Sequence, residues 1–95
     1  MTRMNHRSRF VASKMARAKE RDIVRLQSLS QREREAASFV SDGLTNKDVA
    51  GAMGLSEQGT KNVLSRVFRK LGVHRRLELV CRFGGYFRNR YLRND

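Results

Sequence analysis

The chain has no proline, no tryptophan, one cysteine and only nine acidic residues among its 95. Without proline, helix ends fall to glycines and capping side chains. The single cysteine, Cys81, excludes an intramolecular disulfide framework and fits a reducing compartment. Its expected role is that of a small buried hydrophobe. No apolar run approaches the length of a membrane span, and the basic N-terminus leads into no apolar signal core. The expected location is therefore the cytoplasm, on the nucleoid, with no membrane partner. His6 and His74 stand without cysteine or carboxylate neighbours at ligand spacing, so no metal site is expected. The few acidic residues fall mostly at helix starts. Nothing pairs a nucleophile with a base, so the expectation is neither an enzyme nor a cofactor binder.

What is abundant is positive charge. Lys and Arg number 21, for a net charge of +12. Such an excess in one small domain points to a polyanionic partner. Residues 1–28 hold eight basic and two acidic side chains, residues 29–83 ten and six, and residues 84–95 three and one. The ends are the most lopsided, and the middle mixes signs as a folded domain does. The expected organisation is a basic N-terminal arm or helix over 1–28, a folded domain over 29–83 and a basic aromatic tail over 84–95.

Within the middle, three glycines are each followed by an aliphatic residue: Gly43-Leu44, Gly54-Leu55 and Gly72-Val73. A glycine past a helix end adopts the left-handed conformation that satisfies orphan carbonyls, and the next apolar residue folds back on the last turn. Ser30 with Glu33, and Thr45 with Asp48, read as capping boxes, and Ser56 caps a third helix. The spacing predicts helices from about Ser30 to Ser41, Asn46 to Met53, Ser56 to Leu71 and Arg76 to Phe83, where Gly84-Gly85 is expected to break the chain. An earlier helix is expected over Phe10–Leu26, with Val11, Met15, Ala18 and Leu26 near one face and Asp22 interrupting it; residues 1–9 read as a disordered arm. The expected core includes Ala36, Ala37, Val40, Val49, Ala50, Met53, Leu64, Val67, Phe68 and Leu71, with Thr60 at its edge bonding back to a carbonyl of its own helix. The expected class is all-α.

A short helix, a tight glycine turn and a long basic helix outline a helix-turn-helix DNA reader. Near the start of the long helix, Lys61, Asn62 and Ser65 project together, with Gln58 on the flank, as candidate base readers. Lysine donates to guanine, and asparagine pairs bidentately with adenine. Arg66, Arg69, Lys70 and Lys47 are placed for phosphates. A plain solvated polar face is the competing reading, and the capped short helix directly ahead weighs against it.

These residues carry a family resemblance. Leu29-Ser30-Gln31-Arg32-Glu33-Arg34-Glu35 resembles the opening of the LuxR/GerE-type helix-turn-helix. Gly43-Leu44-Thr45-Asn46-Lys47-Asp48-Val49-Ala50 is similar to its second segment, and Ser56-Glu57, Lys61-Asn62 and Arg69-Lys70-Leu71-Gly72-Val73 to its third helix and closing signature. Arg76 and Glu78-Leu79 match the start of its fourth helix. The resemblance covers Leu29 to Phe83. It implies a four-helix DNA-binding domain acting as a homodimer on near-palindromic double-stranded DNA. The third helix would then read the major groove, and Thr45 and Asn46 would join the phosphate contacts. The fourth helix would supply the dimer interface, here Leu79, Val80 and Phe83. The sequence departs from the family at Gly59, Thr60, Val63 and Gln31. Gly59 and Val63 erode the expected DNA surface. Family members often carry a receiver or ligand-binding domain ahead of this module. The 28 residues here are too few for either, so the expectation is a stand-alone member.

The rival is a protein-interaction module on the same scaffold, binding another regulator or RNA polymerase. Tyr86, Phe87 and Tyr91 favour it as aromatic anchors. The segment 1–28 has three readings: ballast, a DNA-tracking arm, or a helix that docks on the domain or a partner. Region four of a sigma factor shares the shape but needs further sigma regions absent from this sequence.

Overall fold

The computed structural model describes residues 6–92, with side chains described for residues 16–88. Among the described residues there are five helices and no strand: α1 (His6–Gln27), α2 (Gln31–Ser41), α3 (Asn46–Met53), α4 (Glu57–Leu71) and α5 (Arg76–Leu92). The expected all-α class holds. The expected disordered arm over 1–9 falls largely on residues outside the described range, but helix α1 begins at His6, four residues before the expected start.

Caps set the boundaries. Ser30 Oγ accepts from Glu33 N (3.1 Å), and the Glu33 carboxylate accepts in return from Ser30 N (2.8 Å). Thr45 Oγ1 accepts from Asp48 N (3.2 Å), and Ser56 Oγ from Gly59 N (2.9 Å). Each occupies one of the free N–H groups at a helix start. At the other ends, Gly43, Gly54 and Gly72 take φ of 89°, 66° and 67°. The turn at Gly54 is the one the site needs: its left-handed backbone lets Leu55 N return to the Ala50 carbonyl (2.9 Å) and ends α3 three residues before α4 begins.

The core gathers on α2, which packs against both α4 and α5. Ala36, Ala37 and Val40 are buried there, and the two alanines allow the neighbouring helices close approach. From α4 come Thr60, Val63, Leu64, Val67 and Leu71, and from α5 Leu79, Phe83 and Phe87. Thr60 is fully buried, and its hydroxyl donates to the Ser56 carbonyl (3.0 Å), as its position predicts. Val63 belongs to this core rather than to an exposed surface. Its spacing from Thr60 and Val67 puts it on the inner face.

The structure corrects the reading of the C-terminal segment. Helix α5 runs unbroken through Gly84-Gly85 to Leu92. Neither glycine takes a positive φ, so neither acts as a stop. Phe83 and Phe87, four residues apart, lie on one buried face and carry the helix across the pair. Phe87 is thus core and not an interface anchor. Tyr86 is partly exposed, and the side chain of Tyr91 lies outside the described range. Gly85 remains a cost within the helix, and a Cβ there meets nothing within 4 Å. Gly85→Ala is expected to raise stability by about 0.5–1 kcal/mol, seen as a higher urea midpoint with an unchanged slope.

The end of α1 docks on the domain. Leu26 packs against the core, and Asp22 pairs with Arg82 of α5 (3.2 Å). The acid that interrupted the apolar face therefore anchors the helix. Arg25 donates to the Leu71 carbonyl at the end of α4 (3.5 Å), lying over Gly72, where a Cβ would come within 3.0 Å of its guanidinium.

Candidate nucleic-acid interface

Helix α4 is two-sided. Its inner stripe is buried, while Gln58, Lys61, Asn62 and Ser65 are all exposed and share one outer stripe, with Arg69 continuing it. The structure thus brings the four candidate base readers together on the first half of the helix. Gln58 Nε2 donates to Asn62 Oδ1 (3.1 Å), joining two of them. Glu57 in the first turn, and Arg69 and Lys70 in the last, complement the helix dipole.

The candidate phosphate contacts divide. Lys47 and Arg69 are exposed. The exposed Thr45 hydroxyl caps α3 through its oxygen, which leaves its O–H free to donate to a phosphate. Asn46 is half-buried and accepts from Arg76 (2.7 Å). Lys70 is not a free cation: its ammonium donates to the Glu33 carboxylate (2.7 Å) and to the Ser28 carbonyl (3.1 Å). Arg66 donates to the other Glu33 oxygen (3.3 Å) but keeps nearly half its side chain exposed. The candidate dimer residues divide as well. Leu79 and Phe83 are wholly buried in the chain's own core and cannot present themselves to a second copy, and Val80 is half-buried. The outward residues of α5 include Leu77, 71% exposed, and Cys81 one turn on. Cys81 is therefore exposed, against the expectation of burial.

Glu33 is the electrostatic centre of the scaffold. It is buried, and the Lys70 ammonium, followed by the Ser30 N–H, holds its carboxyl down at about 2 against an ordinary 4.5. This one carboxylate ties the start of α2 to the last turns of α4 and thereby fixes how the outer stripe is presented.

Charge has a second use that local patterning does not reveal. Arg34 donates to the Leu26 carbonyl at the end of α1 (3.2 Å), and Arg32 to Met53 at the end of α3 (2.9 Å). Arg25 reaches the end of α4, and Arg76 the Leu44 carbonyl just past α2. The carbonyl ends of three helices, α1, α3 and α4, thus each receive a guanidinium, which satisfies orphan acceptors and complements the local dipole, and Arg76 holds the loop between α2 and α3. Three of these partners lie 21 to 46 residues away, beyond any local pattern.

Comparison with known proteins covers the same unit. Residues 27–83 match the model of the luxR family of bacterial regulatory proteins. Over 53 residues the chain is 43% identical to the DNA-binding transcriptional activator DevR/DosR of Mycobacterium tuberculosis, covering 56% of this chain and 24% of that protein. It is 30% identical over 56 residues to the probable transcriptional regulator ycf29 of Guillardia theta, covering 59% and 27%. It is also 36% identical over 59 residues to the probable HTH-type transcriptional regulator GfsR of Streptomyces halstedii, covering 62% and 24%. The chain spans about a quarter of the length of these relatives. No solved structure gives a significant match. The family match takes in α2, α3, α4 and the first half of α5, more than half the chain, and the protein belongs to the luxR family of bacterial regulatory proteins.

Proposed function

We propose that the chain is a sequence-specific regulator of transcription that inserts α4 into the major groove of double-stranded DNA. The observation that carries this reading is the outer stripe of α4: Gln58, Lys61, Asn62 and Ser65, side by side on a capped helix whose opposite face is locked in the core. Such a helix start offers its hydrogen-bonding groups to base edges. Lys47 and Arg69, with the exposed part of Arg66, are the phosphate contacts the geometry favours. The names of the relatives point the same way. A homodimer on a near-palindromic site completes the proposal, with Leu77, Val80 and Cys81 on the outward side of α5 as its contact in place of Leu79 and Phe83. The cytoplasm, on the nucleoid, is its place of action.

Replacing Lys61 and Asn62 together with alanine tests the reading. Discrimination between a selected site and random DNA should fall by about 30-fold or more in a gel shift, since each good base contact is worth about 1–3 kcal/mol. The melting temperature should stay put, because both side chains are exposed. An unaltered footprint from the double variant would defeat the assignment of α4.

The second reading, a protein-interaction module for another regulator or RNA polymerase, draws on different residues than the sequence suggested. Phe87 and Val63 no longer argue for it. Leu77 and Val24, the most exposed large hydrophobics among the described residues, do. Stoichiometric capture of a protein with no retention of DNA would favour it.

A further inference from the structure

Where α1 meets α5, the chain gathers more positive charge than its one ion pair uses. Arg21, Asp22 and Arg25 of α1 and Arg82 of α5 line a cleft of about 240 Å³, together with the small Ala18. Three guanidiniums thus share the cleft with one carboxylate. Asp22 accepts from Arg82 Nη2 (3.2 Å), and Arg25 Nη1 donates to the Leu71 carbonyl (3.5 Å). Arg21 is exposed and has no hydrogen-bond or ion-pair partner among the described residues. A guanidinium carries five N–H donors, so Arg25 and Arg82 keep most of theirs after these contacts.

Two of the three positive charges are left unmatched. Like charges gathered in a cleft repel one another, and its low-dielectric walls focus their field on an anion that enters. Arginine forks match the oxygens of carboxylate and phosphate alike, but a phosphate group brings up to two negative charges and three acceptor oxygens. The cleft is smaller than the roughly 300–1,000 Å³ of sites for drug-sized ligands, which suits a small anion. We infer that it is a binding site for a phosphate group, held by Arg21 and Arg25 from α1 and by Arg82 from α5. Arg21 and Arg25, four residues apart, are neighbours on the helix surface. A phosphate bound there ties α1 to α5 and adds to the Asp22–Arg82 pair. Two sources present such a group: a free phosphate compound, and the backbone of a duplex passing beside α1. The site stands apart from the outer stripe of α4 and does not depend on base reading.

The experiment is calorimetric titration of the full chain with sodium pyrophosphate at fixed ionic strength, beside Arg21→Gln, Arg82→Gln and Arg17→Gln. Arg17 is exposed one turn before Arg21 and does not line the cleft, so its variant carries the same change in charge. The parent chain and Arg17→Gln should bind with equal affinity. Arg21→Gln should lose about tenfold, in line with one charge-assisted hydrogen bond, and Arg82→Gln at least as much. An equal loss in Arg17→Gln would mean general attraction to a basic helix and would overturn the inference. Full retention by Arg21→Gln or Arg82→Gln would overturn it too, as would a parent chain with no saturable binding. A gel shift then separates the two sources. For a duplex phosphate, Arg21→Gln should weaken binding to every sequence alike and lower the salt slope by about 0.9. For a free compound, Arg21→Gln should bind duplexes as the parent does. Selected bases stay the same in either case, so loss of this site and loss of reading by α4 are told apart.

Discussion

Replacing Glu33 with alanine lowers the stability of the domain by about 3 kcal/mol, the largest loss expected from any charged residue here. Removing one partner of a buried ion pair typically costs about 3–5 kcal/mol, and losing a helix cap about 0.5–2. The total stays at the low end because Lys70 and Arg66 are a third and a half exposed, and water screens them once the acid is gone. For a domain of this size the melting temperature should fall by roughly 12–24 °C at pH 7. Acid provides an independent check. The Glu33 carboxyl titrates at about 2 in the folded chain against 4.5 ordinarily. Its contribution is present in full above about 4.5 and is lost as pH falls toward 2. The gap in stability between the parent chain and Glu33→Ala should therefore narrow across that interval. A gap constant from pH 5 to pH 2 would show that the carboxylate charge does not contribute.

Phe87→Ala should cost about 3 kcal/mol, the lower end for emptying a buried aromatic site, and should move the urea midpoint without changing its slope. Its neighbour serves as the internal control. Tyr86 is 38% exposed, and Tyr86→Ala should cost well under half as much. Equal effects from the two would mean that the face of α5 beyond the glycine pair does not pack on the domain.

Much of this architecture was legible in local sequence. Ser30, Thr45 and Ser56 mark three helix starts, and Gly43, Gly54 and Gly72 mark three ends, because capping involves residues within four positions of one another. The outer stripe of α4 followed from the same short-range geometry. The failures share a cause. Gly84-Gly85 looked like Gly43 or Gly72, but a glycine stops a helix only when nothing beyond it needs to be helical. Here Phe87 finds its place among residues some fifty positions earlier. The family resemblance assigns Leu79 and Phe83 to a dimer contact, but the packing of α5 on α2 buries both, and that packing between distant residues is not visible in local sequence. The division of the cations was equally hidden. Lys70 and Arg69 are adjacent and chemically alike, yet one is fastened to Glu33 across 37 residues and the other stands free.

That division bears on how the protein would respond to electrolyte. Binding to a duplex weakens with added salt in proportion to the phosphates newly neutralised, as condensed counterions are released. Arg25, Arg32, Arg34 and Arg76 already serve backbone carbonyls, and Lys70 serves a carboxylate as well. Their field still draws a polyanion toward the surface. Cations committed in this way have fewer donors to offer a phosphate, so the +12 of the chain reports long-range attraction more than the number of phosphates it would neutralise.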